Sequence, residues 1–312
     1  MTRRLAYEAA GRLGLNRAAR RAVRDRVLVL CFHGVSGDES AAADRGGLHV
    51  PQKLFRRQVE ALLRHYAPIS LGQLRESRRD GRPLPPAPLL LTFDDGYRNV
   101  ARHALPVLRA LGAPCAWFVV AGAVESGRLL WPSELELRYG SRPDYPALKR
   151  ELQAAPASVR EARLAELADQ AWTPPLDSDY SLATWDELAG EVRKGGVEVG
   201  SHGLRHHPLT TCEPDRLRAE LRDSAALIAQ RLDTRVETLA YPNGAFSPEV
   251  RAAAAEAGYA LAFTTVPRHA RSGDDCLALP RILVGRRDEV PVLLARVAGW
   301  VEWLRGLRGG AA

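Results

Sequence analysis

An α/β protein built around a parallel sheet or barrel is predicted by a repeating alternation of short apolar strands and amphipathic helices. Strand-like runs occur at Val27–Phe32, Leu89–Phe93, Cys115–Val119 and Val197–Val199, each leading into a loop. Between them, Phe55, Val59, Leu62, Leu63 and Tyr66 share one helical face, and Val100, Ala104, Leu108 and Leu111 share another. Gly112 stands at the C-cap of the second. A third helix opens near Pro214-Asp215 and carries Leu217, Leu221, Ile228 and Leu232 on one side. The 312 residues suffice for one large α/β domain, and 46% apolar content suits a full core. Folds of this kind build their sites from loops at the C-terminal ends of the strands.

The first such loop is the most informative. Leu89-Leu90-Leu91-Thr92-Phe93 runs straight into Asp94-Asp95-Gly96. Adjacent side chains at a strand end point in different directions, so the two carboxylates can divide metal binding and proton transfer between them. Read alone, Asp95-Gly96 is equally the corner of a solvated turn. Val197-Glu198-Val199-Gly200-Ser201 then leads into His202, His206 and His207. In a helical turn, residues 202 and 206 would share a face, and with Asp95 they offer two nitrogens and an oxygen to zinc or another first-row ion. His207 is an alternative to His206. Further on, Tyr241-Pro242-Asn243-Gly244 reads as a tight turn, followed by a helix capped by Ser247 with Pro248 at its first position.

In this order the pieces resemble the polysaccharide deacetylase family of metal-dependent carbohydrate esterases. The resemblance runs from about Val27 to Val284 and includes Leu30-Cys31-Phe32-His33-Gly34-Val35, Thr92-Phe93-Asp94-Asp95-Gly96 and Pro114-Cys115-Ala116-Trp117-Phe118-Val119. His202-x-x-x-His206, Tyr241-Pro242-Asn243-Gly244 and Leu279-Pro280-Arg281-Ile282 complete it. It implies a distorted (β/α) barrel of about seven strands. It also implies that Asp94 is the general base, that Asp95, His202 and His206 hold one divalent metal, zinc first with cobalt or another first-row metal as alternatives, and that the turn at Tyr241 and Asn243 faces the oxyanion. Two features depart from the best-known members. Ala240 stands where an arginine usually orients the base, and no late Leu-x-His supplies the acid. The Leu-Pro-Arg-Ile variant implies that Arg281 takes the orienting role, against the alternative of a surface salt bridge. His33 is then the first candidate for the acid, ahead of His269 and His207.

On this reading the chain divides into a basic segment over 1–26, a barrel over 27–289 with an insertion at about 124–180, and an amphipathic helix over 290–312. The insertion is expected to be a lid over the site or a helical decoration packed on the barrel. Within it, Trp131, like Trp185 beyond it, is a candidate for stacking on a sugar face or for core packing. The C-terminal stretch places Leu293, Leu294, Val297, Trp300, Val301 and Leu304 on one face, to pack on the barrel or lie on an anionic membrane surface. The net charge of +7 comes from arginines spread along helices, without the aromatic interleaving of a nucleic-acid module, so no nucleic-acid partner is expected. Cys31, Cys115, Cys212 and Cys276 are far apart and contain no Cys-x-x-Cys pair. No apolar span reaches transmembrane length and no apolar signal core precedes Val27, so a cytoplasmic location is the expectation. The function expected is hydrolysis of an N-acyl amide, acetyl first, on an amino sugar, oligosaccharide or lipid-linked glycan precursor of surface-polysaccharide biosynthesis. The alternatives are another amide, such as an N-formyl sugar or a cyclic ureide, and a carbohydrate-binding protein without catalysis.

Overall fold

The computed structural model describes residues 15–38, 46–168, 172–173 and 178–300. Helix α1 (Leu15–Ala22) precedes strand β1 (Leu28–Phe32), and β2 (Gly34–Ser36) and β3 (His49–Pro51) form a small separate pair. Then come α2 (Gln52–Leu63), β4 (Ala67–Pro68), α3 (Leu71–Asp80), β5 (Pro88–Phe93), α4 (Leu105–Ala110) and β6 (Cys115–Val119). Between β6 and β7 (Val197–Ser201) lie α5 (Ala121–Ser126), α6 (Trp131–Tyr139), α7 (Tyr145–Ala154), α8 (Ala157–Leu167) and α9 (Trp185–Arg193). The chain continues through α10 (Pro214–Leu232), β8 (Thr238–Ala240), α11 (Pro248–Glu256), β9 (Leu261–Phe263), β10 (Ile282–Leu283) and α12 (Val290–Arg296).

Seven strands in the order β10-β1-β5-β6-β7-β8-β9 are all parallel, with β4 pairing beside β5. A parallel bridge from Phe263 to Leu279 spans the gap between β9 and the segment entering β10. The sheet is the distorted (β/α) barrel that the motifs imply. Its strands are covered on both faces, which is why β1 and β5 read as continuous apolar runs and are buried throughout. Alternate residues, among them Val29, Leu90, Ala116, Phe118, Ala240, Leu261 and Phe263, form an inner cluster with Ile69, Leu71 and Leu74. Leu71 and Leu74 belong to α3, which closes the end of the barrel where the strands begin. The site lies at the other end.

Helix α4 differs from the expected single helix, because a π-helical turn at Val100–Ala104 precedes it. Helix α10 carries Leu217, Leu221 and Ile228 inward, with Pro214 at its first position. The described part of the C-terminal stretch is shorter than the sequence suggested. Helix α12 ends at Arg296, and Gly299 lies at φ +81° with its Cα against Val23. Leu293 and Val297 are fully buried, and the Tyr66 hydroxyl donates to the Val297 carbonyl at 2.6 Å. Trp300 donates to Asn16 of α1 at 2.8 Å. These residues pack on the barrel, while Val301, Trp303, Leu304 and Arg305, like residues 1–14, lie outside the described residues.

One glycine inside the barrel sets the space for the site. Residue 200 pairs in register with Phe118, and a Cβ there would lie 2.5 Å from the Phe118 ring and 2.7 Å from Thr238 Oγ1. Gly200→Ala should therefore overpack the interior by about 1–3 kcal/mol and lower the melting temperature measured by circular dichroism.

Candidate active site

Strand β5 delivers the two carboxylates. The Asp94 N–H donates to the Phe32 carbonyl at 2.9 Å, which ties the end of β5 to β1. The backbone then turns sharply, with Asp95 at φ +74° and Gly96 at φ +85°. The turn sends the two side chains different ways. Asp94 points into the barrel and meets Arg281 in a bidentate pair, Nη1 to Oδ1 and Nη2 to Oδ2, both at 2.7 Å. Arg281 is completely buried, not on the surface. Its Nη1 also donates to Thr92 Oγ1 at 3.1 Å and its Nε to the Thr264 carbonyl at 3.0 Å. The guanidinium lies over the adjacent rings of Phe118 and Phe263, 5.7 and 5.8 Å from their centroids. Burial pushes the Asp94 carboxyl up, but Arg281 and His202 outweigh it and hold the group below the usual carboxylate range.

A further donor to Asp94 escaped the sequence reading. The Cys31 thiol, on β1, donates to Asp94 Oδ2 at 3.3 Å. Burial, aided by Asp94, outweighs Arg281 and pushes this thiol well above its usual value, so it stays protonated and donates. Strand alternation puts Cys31 on the inner face with Val29, but cysteine in an apolar run otherwise reads as packing.

Asp95, His202 and His206 form a second, adjacent cluster. Asp95 Oδ1 lies 3.4 Å from His202 Nε2 and 3.2 Å from His206 Nε2, and all three residues are buried. Among the described residues, Asp95 Oδ1 nevertheless has no hydrogen-bond donor. His202 Nδ1 bonds the Ala240 carbonyl at 2.7 Å, so Nδ1 carries the proton and the Nε2 lone pair faces Asp95. Three buried lone-pair donors that face one another without hydrogen-bonding fit a cation at their centre. This donor set suits a divalent first-row ion.

The two histidines do not meet by helical spacing, as the sequence suggested. Residues 202–206 form a loop with Gly203 at φ +82° and His206 at φ +59°. The loop is held by buried Glu220 in the middle of α10, whose Oε2 accepts the Leu204 and Arg205 N–H groups at 2.9 Å each. No local signal marks Glu220, because its partners lie a whole loop away. His207 is not part of the cluster; its Nε2 lies 3.1 Å from Glu161.

Around these groups opens a cleft of about 550 Å³. His33, Asp94, Asp95, His202, His206 and Asn243 line it from the barrel rim, and Pro132, Ser133, Glu136, Lys149 and Gln153 line it from the insertion. The insertion is thus a wall of the cleft. His33 is half-buried, and its ring lies close to both Cys31 and Asp94. Burial pushes its imidazole below the usual value, against the pull of Asp95 and Asp94. Asn243 adopts φ +58°. Three of the candidate residues, Asp95, His206 and Asn243, therefore hold left-handed backbone that side-chain-bearing residues rarely adopt, as constrained functional loops often do.

Four expectations are corrected. Tyr241 does not line the cleft; it is buried, stacks on Phe246, and donates its hydroxyl to the Leu277 carbonyl at 2.8 Å. Trp131 faces a neighbouring cavity, and its indole N–H donates to the His206 carbonyl at 3.0 Å. It braces the site from behind and does not line the cleft. His269 adjoins Ala270, which pairs with Val27 ahead of β1, so it sits away from the rim where Asp94 lies. Trp185 donates to Glu125 at 2.6 Å and is also outside the cleft.

Known proteins resemble this chain to different extents. The poly-β-1,6-N-acetyl-D-glucosamine N-deacetylase of Escherichia coli K12 is 33% identical over 149 residues, which cover 46% of this chain and 20% of that protein. The chain thus spans about a fifth of the length of the curated relatives it matches first. The deacetylase PplD of Streptococcus pyogenes, solved with acetate, superposes with a TM-score of 0.63 at 20% identity, covering 87% of this chain and 98% of that one. IcaB from Ammonifex degensii superposes with a TM-score of 0.61 at 23% identity, covering 88% and 97%. At these identities the two structures show a common fold. The polysaccharide deacetylase profile matches residues 81–262, more than half of the chain, from the approach to β5 through β9, so both aspartates and both facing histidines fall inside it, and the chain belongs to the polysaccharide deacetylase family.

Proposed function

We propose that this protein hydrolyses the N-acetyl group of β-linked N-acetylglucosamine residues in a glycan or glycan precursor, releasing acetate and leaving the free amine. The observation that carries this reading is the pairing of two differently held carboxylates, Asp94 on Arg281 and Asp95 facing two histidines, in one cleft. The E. coli relative supports the choice of sugar.

Asp95, His202 and His206 would hold the divalent ion, and zinc is the proposed metal. When bound, it polarises the amide carbonyl and lowers the pKa of water beside it. Asp94 is the proton acceptor for the attacking water, since Arg281 keeps it ionised and fixes its plane. Water adds to the carbonyl carbon, the C–N bond breaks, acetate leaves, and the departing nitrogen needs a proton. His33 is the proposed donor of that proton, because it lines the same cleft beside Asp94. Its lowered pKa makes it neutral before reaction, so it must gain the proton during turnover. The backbone N–H of Asn243 is the proposed second donor to the oxyanion.

Acetate release from N-acetylated β-1,6-linked glucosamine oligosaccharides, measured after metal stripping and reloading with zinc or cobalt, tests the proposal. Activity should return with metal, and Asp94→Asn should lower kcat by about 10²–10⁴-fold. Zinc binding without acetate release from any N-acetylated sugar would sink the deacetylase reading and leave a carbohydrate-binding role. His33→Ala should lower kcat most with oligosaccharide amides and least with an activated ester, whose leaving group needs no proton; equal loss on both would remove His33 as the acid.

The Arg281–Asp94 pair also governs stability. Because the Asp94 carboxyl sits below its ordinary value in the folded protein, its contribution is fully present above about pH 4 and fades as the pH falls toward the folded value. Arg281→Met leaves a buried carboxylate unpaired and should cost about 3–5 kcal/mol near neutral pH. The loss should shrink in acid, where Asp94 takes up a proton. Urea unfolding at several pH values measures this.

A further inference from the structure

Two adjacent histidines leave the β7 loop, and one of them reaches Asp95. His206 and His207 are both buried, so exposure does not decide between them. Nor does the loop favour the observed choice, since His206 must adopt φ +59° to make it. The ring of His202 is fixed by its Nδ1 bond to Ala240. His206 has no equivalent, because its Nδ1 lacks a partner among the described residues. Its imidazole can be aimed at Asp95 only through its backbone.

The insertion holds that backbone. Trp131, the first residue of α6, donates its indole N–H to the His206 carbonyl at 3.0 Å. Glu161 of α8 takes His207 Nε2 at 3.1 Å and is itself paired with Arg216 at 2.5 Å. Arg160, fully buried, lies 5.5 Å over the Trp131 ring and donates to Thr211 Oγ1 at 2.7 Å. One helix thus grips the peptide of His206, and another pulls the neighbouring imidazole the opposite way.

We propose that helices α6 and α8 of the insertion select His206 over His207 as the metal ligand, with Trp131 and His207 as positioning residues. The inference rests on the metal reading of the Asp95, His202 and His206 cluster. It makes the insertion part of the metal site as well as a wall of the cleft, without placing any insertion residue on the ion.

Zinc affinity of the full-length protein, measured by competition with a chromophoric chelator, tests it without reference to activity. Trp131→Phe keeps the ring for Arg160 and removes the N–H. It should weaken zinc binding by about 10-fold or more, as loss of an outer hydrogen bond does at other metal sites. His207→Ala should weaken it similarly, whereas His207→Gln, which retains a donor for Glu161, should recover most of the affinity. Thermal unfolding of the metal-free variants separates loss of affinity from loss of fold. Unchanged affinity in both Trp131→Phe and His207→Ala overturns the proposal. So does abolished binding in His207→Ala with binding retained in His206→Ala, which would make His207 the ligand. Wild-type protein that binds no zinc would instead overturn the metal reading itself.

Discussion

The buried pair between Arg281 and Asp94 is the interaction on which the rest of the site depends. An ionised carboxylate at the mouth of a barrel interior is stable only if its desolvation is offset, and a guanidinium in bidentate contact offsets it with directional bonds as well as charge. Arg281 in turn needs its remaining N–H groups satisfied. Thr92 and the Thr264 carbonyl accept two of them, while the adjacent rings of Phe118 and Phe263 pack beside the guanidinium. Gly200 leaves the Phe118 ring its space. The barrel interior is thus organised from Asp94 downward, with strands β5, β6, β7 and β9 and the residue entering β10 each contributing a part. Ala240 stands where the family resemblance implies an arginine, and the guanidinium beside Asp94 arrives instead from the β10 side.

Against that fixed carboxylate, the cluster of Asp95, His202 and His206 is assembled on strained backbone. Asp95 and His206 both occupy left-handed backbone, and each conformation persists because several hydrogen bonds determine it. Around the histidine loop these come from Glu220 on one side and Trp131 on the other. The strain has a geometric purpose. The turn at Asp95 sends its carboxylate away from that of Asp94, and the loop through 202–206 presents the Gly203, Leu204 and Arg205 N–H groups to the Ser201 and Glu220 oxygens. The division of work between neighbouring carboxylates therefore comes from one backbone turn.

How far the site could be read in advance differs residue by residue. The acidic pair after β5 and the histidines after β7 were visible because their order along the chain resembles the family's motifs, whereas Asp95-Gly96 alone read equally as a turn. Arg281 was visible by resemblance, but whether it lay on the surface or in the core was not. Cys31 was hidden because a thiol in a strand looks like packing, and Glu220 because a glutamate within a helix looks like a solvated face. Trp131 was noticed for the wrong reason. An indole has a flat apolar face and one N–H donor, and the sequence alone suggested the face, whereas in the folded chain the N–H bonds the His206 carbonyl.

What the sequence by itself determined is the fold and the chemical inventory. Strand and helix periodicity is local and pointed to a parallel sheet or barrel, and the motif residues stand at strand ends wherever the strands go; the family resemblance implied the distorted barrel. What only the tertiary structure decided is which of these groups face one another. The choice of His206 over His207, the inward course of Arg281, and the retreat of Tyr241 and His269 from the cleft each depend on contacts between residues far apart in the chain. Orientation at that level is set by packing and by satisfying buried polar groups, and neither is encoded in the spacing of a motif.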